Sequence, residues 1–175
     1  MEELLQELQE KFSTVILTVE TAKKDLPTLI CKREGFLEFI KYLKEEKGFD
    51  YLIDLCGVDY LNYKYKNFEE RFEVVYHLYS IPNKHFLRIK VRISESDCWQ
   101  YSVTPLYKTA NWFERECYDM FGIRFKGHPD LRRVLMPPDW EGYPLRKDYP
   151  LFLEPEKDWE PYKELVEKYQ KERGS

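Results

Sequence analysis

The chain has 175 residues, of which 43% are hydrophobic and 34% are charged, and its net charge is −4. This composition suits one folded domain with a core of its own and argues against wholesale disorder. The near balance of 28 basic and 32 acidic residues gives no global field that would attract nucleic acid. The sequence shows no secretion signal and no apolar run long enough to span a membrane, so we expect a cytosolic protein with reduced cysteines.

The first 93 residues show patterns of both helix and strand. Apolar spacing predicts helices over residues 2–12 and from residue 36 to a stop near Gly48, with short strands over residues 14–20 and 28–32 between them. A mostly apolar run predicts a strand over residues 51–56. Alternation with period two predicts two more strands over residues 71–78 and 87–93, joined as a hairpin.

These elements predict an α+β fold, with an antiparallel or mixed sheet and helices packed on one face. The other face of the sheet would carry Arg88, Lys90 and Arg92. Two interpretations of that face stay open: a solvated surface, or a surface that contacts a partner.

A third helix is predicted over residues 107–121, with Gly122 as its C-terminal stop. Seven of the ten prolines then lie between Pro129 and Pro161, a density that regular helices and central strands do not tolerate. We therefore divide the chain into an α+β domain, residues 1–125, and an extended proline-rich C-terminal arm, residues 126–175. The apolar residues of the arm cannot be buried within an extended segment, so the arm must pack on its own domain or on another subunit. Four residues have the spacing of a short terminal helix in the arm: Tyr162, Leu165, Val166 and Tyr169.

The sequence offers no convincing catalytic or metal-binding motif. Glu114 and Glu116 would lie about 200° apart around a helix, so they cannot act as one carboxylate pair. Arg115 and Asp119 are spaced for an ion pair on the helix, within a carboxylate–arginine network that fixes the arm to it. His128 stands alone before a proline, which favours a structural hydrogen-bonded role over metal ligation. The four scattered cysteines, and the absence of phosphate-loop and nucleophile motifs, lead us to expect no catalytic centre, cofactor or metal in this chain.

An ordered signature of charged, glycine, proline and aromatic residues runs from the third helix into the arm. Its members are the candidate partner-contact residues: Glu114, Arg115, Glu116, Asp119, Gly122, His128, Pro129, Asp130, Arg132, Arg133, Asp139, Trp140, Gly142, Pro144, Arg146, Lys147, Asp148 and Tyr149. The signature closely resembles that of the C subunit, or thirty-kilodalton subunit, of proton-pumping NADH–quinone oxidoreductase, respiratory complex I. A weaker resemblance reaches back to about residue 50. Tyr143 stands where members of the family often have histidine.

The resemblance implies a non-catalytic structural and assembly subunit of the peripheral arm of the complex, on the cytoplasmic side of the membrane. It implies that the D subunit is the main partner, that the B and I subunits lie nearby, and that NADH, FMN, iron–sulfur clusters and quinone bind on other subunits. The equivalent subunit of a complex-I-like energy-converting hydrogenase is the alternative within the same superfamily. A standalone enzyme that uses Glu114, Glu116 or His128, and a nucleic-acid-binding module that uses Arg88, Lys90 and Arg92, are the alternatives from other classes.

Overall fold

A computed structural model describes residues 1–21, 25–64 and 69–150, together with the helical residues 163, 164, 167, 168 and 171. Within residues 1–21, 25–64 and 69–126, the structure has three helices and seven strands in the order α1 (Glu2–Lys11), β1 (Ile16–Glu20), β2 (Thr28–Cys31), α2 (Phe36–Glu45), β3 (Tyr51–Asp59), β4 (Phe72–Ser80), β5 (His85–Ile93), β6 (Trp99–Tyr101), α3 (Ala110–Phe121) and β7 (Arg124–Lys126). The four residues that predicted a terminal helix lie outside the described residues.

Five strands form one mixed sheet in the order β1-β2-β5-β4-β3. The three strands β3, β4 and β5 are an antiparallel meander, as their alternation and the short link between β4 and β5 predicted. β2 pairs in parallel with β5, and this contact between distant segments has no local signal in the sequence. The predicted α+β class with a mixed sheet is confirmed.

The core lies between one face of this sheet and the helices. The apolar side of α2, with Phe36, Phe39, Ile40 and Leu43, is buried, as its spacing predicted. A single cluster of buried residues contains apolar side chains of α1, α2 and α3 and the inward positions of β2 to β5. In the described residues, the helices therefore pack on one face of the sheet. This agrees with the period-two alternation of β4 and β5, in which every second side chain points to the core.

The opposite face of the sheet carries a paired polar layer. Arg88 donates two hydrogen bonds to the carboxylate of Asp25, at 3.0 and 3.1 Å, and a third to Nε2 of His77 at 3.0 Å. Lys90 forms an ion pair with Glu73 at 3.3 Å. Arg88 and Lys90 are half-buried and paired with carboxylates, so two of the three cations that a nucleic-acid-binding module would use on this face are already neutralised.

The region around α3 sets the start of the arm. The helix begins at Ala110, three residues later than predicted, because residues 103–109 form turns and the Tyr107 hydroxyl donates to the Phe49 carbonyl oxygen at 2.6 Å. It ends at Gly122, as predicted. β7 then returns alongside β6 in a parallel pair that the sequence did not predict. The arm consequently leaves the domain beside the helix that carries the first half of the signature.

Candidate partner-docking arm

The described part of the arm, residues 126–150, folds back on its own domain, and Asp119 on α3 is its main anchor. The Asp119 side chain is fully buried. Its Oδ2 atom accepts hydrogen bonds from three successive backbone N–H groups, those of Val134, Leu135 and Met136, at 2.9, 2.7 and 2.9 Å. Its Oδ1 atom accepts from Nη1 of Arg133 at 2.8 Å.

These donors keep the Asp119 carboxylate ionised inside the protein. Burial alone would raise its pKa, but the backbone N–H groups and the Arg133 guanidinium outweigh burial and lower the pKa. Successive backbone N–H groups that converge on one point form an anion-binding concavity. Here the bound anion is the carboxylate of Asp119 in the same chain, so this carboxylate fixes the backbone path of residues 134–136.

A second attachment joins the end of the described arm to the edge of the sheet through Arg71. The guanidinium of Arg71, whose side chain is 8% exposed, binds the carboxylate of Asp59 at 2.8 and 3.1 Å and that of Asp148 at 2.6 and 3.0 Å. It also pairs with Glu95 at 2.5 Å. Asp59 in turn accepts the backbone N–H of Lys147 at 2.8 Å. One buried arginine thus links two carboxylates of the domain to one of the arm.

The contacts of this second attachment lower the pKa of Asp59 and so favour its ionised carboxylate. Burial would raise the pKa, but Arg71 and the backbone N–H groups of Lys147 and Leu61 lower it. The pKa of Asp148 is also lowered, chiefly by its hydrogen bonds to Arg71. Both carboxylates are therefore ionised at neutral pH.

A third attachment lies at the C-terminal end of α3. Arg146 donates from Nε to the Phe121 carbonyl oxygen at 2.7 Å, and its guanidinium lies 4.7 Å from the ring centroid of Tyr143. Gly122 has a φ of +75°, and a Cβ atom there would lie 2.5 Å from the Tyr143 ring. Only glycine meets both demands, the left-handed backbone and the close approach of the arm.

Arg115 and His128 fix the beginning of the arm. The prediction that Arg115 pairs with Asp119 is wrong: Arg115 donates to the carbonyl oxygens of Arg132 and Arg133 at 3.1 and 3.2 Å. Asp119 has Arg133 and backbone donors instead, because the arm approaches it closely. The structural role predicted for His128 is confirmed, since its Nε2 lies 3.1 Å from the Asn111 carbonyl oxygen and its Nδ1 accepts the Asp130 N–H at 3.0 Å.

The remaining signature residues divide into contacts within the arm and exposed positions. Gly142 has a φ of +82°, lies against the Tyr149 ring, and its carbonyl oxygen accepts from Arg133 at 2.9 Å. Trp140 and Pro144 are half-buried. Arg132 pairs with Asp130 on the surface at 2.7 Å. Eight signature residues are exposed in the structure: Glu116, Pro129, Asp130, Arg132, Asp139, Gly142, Lys147 and Asp148.

The arm leaves large apolar side chains on the surface. The exposed fraction is 60% for Leu135 and 52% for Leu145, although the backbone N–H of each is bonded to α3. Trp112, in the first turn of α3, is 62% exposed and lies under the Arg115 guanidinium, whose Cζ is 4.9 Å from the ring centroid. The arm is thus bonded to its own domain at several points, and the side chains of Leu135 and Leu145 remain exposed.

The catalytic and metal-binding alternatives gain no geometric support. Glu114 is buried and Glu116 is exposed, so the two carboxylates do not meet. Within residues 1–21, 25–64, 69–150 and the five helical residues beyond them, no group of three or more His, Cys, Asp or Glu side chains could hold a metal ion. In that same part of the chain, no helix is both long and apolar enough to cross a membrane.

The described residues form an α+β domain to which the arm is bonded, and large apolar side chains of the arm and of α3 are exposed. Residues 29–154 match the family described as "Respiratory-chain NADH dehydrogenase, 30 Kd subunit", and the chain belongs to this family. The resemblance that the signature predicted is therefore confirmed.

Similar proteins cover most of this chain. The C subunit of the NADH-quinone oxidoreductase of Geotalea uraniireducens is 48% identical over 156 residues, which are 89% of this chain and 90% of that protein. The C/D subunit of the NADH-quinone oxidoreductase of Photorhabdus laumondii is 42% identical over 147 residues, which are 82% of this chain and 24% of that longer protein. A solved structure, described as the trypsin-resistant fragment (1-134) of Nqo5, superposes with a TM-score of 0.66 at 37% identity and covers 74% of this chain and 98% of the fragment.

Proposed function

We propose that this chain is a structural and assembly subunit of the peripheral arm of an NADH–quinone oxidoreductase that couples electron transfer to proton translocation. Family membership and a relative that is matched over 90% of its length support this assignment. In the proposal the subunit lies on the cytoplasmic side of the membrane and has no catalytic centre of its own. NADH, FMN, the iron–sulfur clusters and quinone then bind to other subunits.

The observation that carries the proposal is the separation of polar and apolar groups in the arm. Asp119 accepts hydrogen bonds from the backbone of the arm, Arg71 binds the carboxylate of Asp148, and Arg146 donates from the arm to the Phe121 carbonyl oxygen. The side chains of Leu135 and Leu145 remain exposed. A segment already ordered by its own domain loses less conformational entropy when a partner covers it. Full burial of a leucine side chain contributes roughly 1.5–3 kcal/mol, so two of them are sufficient to act as anchors of an interface.

The partner proposed for these side chains is the D subunit, with the B and I subunits nearby. One relative carries a region similar to this chain within a longer protein that is named as a C/D subunit. Two proteins that are joined as one chain in a relative are candidates for direct contact as separate chains. In this proposal, residues 1–125 form the scaffold and residues 126–175 form the docking arm.

The test is co-expression of this chain with its D subunit and measurement of the amount that co-purifies. The double variant Leu135→Ser, Leu145→Ser should lose most of the association, because the apolar anchors are removed while the backbone bonds to α3 remain. Leu17→Ser is the matched control, since Leu17 is 51% exposed on β1 in the main sheet and not in the arm. Its association should equal that of the wild type.

Retention of wild-type association by the double variant would overturn the docking role of the arm. Unchanged thermal unfolding of the isolated double variant shows that any loss arises at the interface. The genes beside this one separate the NADH-linked complex from the hydrogenase alternative. A nickel–iron hydrogenase subunit without an NADH-binding flavoprotein would favour the alternative.

A further inference from the structure

Glu114 is a buried acidic side chain that the docking role does not use. It lies in the second turn of α3 and is fully buried. Its Oε1 atom accepts the backbone N–H of Val103 at 2.7 Å. Its Oε2 atom is buried and has no hydrogen-bond partner.

Asp119, on the same helix, shows what a buried ionised carboxylate requires. It has three backbone N–H donors on one oxygen and the Arg133 guanidinium on the other. Glu114 has one backbone donor, the N–H of Val103, and a hydrogen bond with the Ser102 side chain. An ionised carboxylate without a cation in an apolar interior is costly, and the group takes up a proton instead.

The groups that surround Glu114 do not supply the missing charge. The titratable groups that interact with it are Tyr76 from β4 and Cys117 on α3 itself, and burial raises the pKa of each, so both are neutral. Among the described residues, no lysine, arginine or histidine contributes to the electrostatics of the Glu114 carboxyl group. Two other buried polar atoms nearby, the Tyr76 hydroxyl and Gln100 Nε2, also have no hydrogen-bond partner of normal geometry.

We propose that Glu114 is a buried proton-binding site, and that its carboxyl group holds a proton in the folded subunit under mildly acidic conditions in which an exposed glutamate is ionised. Binding of one proton from solvent at Oε2 changes the carboxyl group from −1 to neutral. The new O–H can donate to a hydroxyl oxygen of Ser102 or Tyr76, while Oε1 continues to accept from Val103. The proposal does not depend on which complex contains the subunit.

The test is carboxyl-carbon NMR of the isotope-labelled full-length chain between pH 5 and pH 9. The Glu114 signal should titrate with a midpoint of about 7, because burial raises its pKa. The Asp119 signal should stay at its ionised position throughout, because hydrogen bonds to the arm outweigh burial and lower its pKa. The titrating signal should be missing in Glu114→Gln. It should be present in the control Glu116→Gln, because the carboxyl group removed there is on the same helix but exposed.

A Glu114 signal that is already ionised at pH 5 and does not move up to pH 9 would overturn the proposal. Glutamine keeps the acceptor for the Val103 N–H and mimics the neutral acid in shape, so the Glu114→Gln variant should fold. If it does not, sequential assignment of the wild-type chain identifies the same carbon, and its titration decides the question without a variant.

Discussion

Replacement of Asp119 by asparagine should release the arm from α3. Asparagine has one acceptor oxygen, so it can face either the three backbone N–H groups of residues 134–136 or the guanidinium of Arg133. If the oxygen keeps the backbone donors, the new NH₂ group points at Arg133, and two donors oppose each other. In both orientations the negative charge at the centre of the attachment is lost.

The size of the effect follows from the contacts that remain. Removal of one partner of a buried ion pair costs roughly 3–5 kcal/mol. Arg133 keeps bonds to the carbonyl oxygens of Gly142 and Asp119, at 2.9 and 3.3 Å, which places the cost at the lower end of that range. Because about 1.4 kcal/mol is a factor of ten, about 3 kcal/mol corresponds to a roughly hundredfold rise in the open population of the arm.

Native-state hydrogen exchange of the Val134, Leu135 and Met136 amides measures this opening directly. In Asp119→Asn we expect the protection factors of these amides to fall roughly a hundredfold, because the free energy of opening the arm decreases by about 3 kcal/mol. The fall will be smaller if the wild-type amides exchange only through global unfolding. Asp130→Asn is the matched control, because Asp130 pairs with Arg132 on the surface and should leave these amides unchanged. Wild-type protection of the three amides in Asp119→Asn would refute the view that this carboxylate shapes the arm.

Two further predictions concern α3: one its C-terminal residue Gly122, the other the buried Glu114. Gly122→Ala should lower the thermal unfolding midpoint more than Gly127→Ala does. Both positions have φ above +70°, but a Cβ at Gly122 meets Tyr143 at 2.5 Å and one at Gly127 meets nothing within 4 Å. Equal unfolding midpoints for the Gly122→Ala and Gly127→Ala variants would show that the Tyr143 ring does not restrict the space at position 122. The second concerns Glu114, whose pKa is raised from 4.5 to about 7 in the folded state. Wild-type stability should fall by about 3 kcal/mol as the pH rises from 4.5 to 7 and then level off, whereas urea unfolding of Glu114→Gln should lack this decline. Glu116→Gln should keep it.

Local patterns predicted the parts of the fold that local geometry determines. The apolar spacing of α2 and the alternation of β4 and β5 depend on neighbours within a few residues, and both elements were found. The parallel contact of β2 with β5, and of β6 with β7, joins segments that are far apart in the sequence. These contacts are tertiary, and short strands of three or four residues carry little pattern of their own.

The charged residues of α3 show why the site was harder to predict than the fold. The i, i+4 spacing predicted an ion pair between Arg115 and Asp119. The groups that donate to Asp119 instead lie 14–17 residues further along the chain. Glu114, by contrast, did leave a signal. Ala110, Glu114 and Cys117 follow the spacing i, i+4, i+7, so the glutamate stands in the middle of the apolar stripe. A charged residue in that position indicates a buried acid.

The length of the signature has a physical explanation in the way the arm is held. The arm forms local turns, such as those closed by the N–H groups of Trp140 and Tyr149, but residues 127–150 contain no helix or strand. The path of the arm therefore also needs donors, acceptors and glycines supplied elsewhere. Asp119, Arg71, Arg146 and Gly122 supply them from the domain or against it. In the proposed function, the shape of the arm and its association with a partner therefore depend on different residues. Variants of Asp119 should alter the shape first and association as a consequence, whereas variants of Leu135 and Leu145 should reduce association with the shape intact.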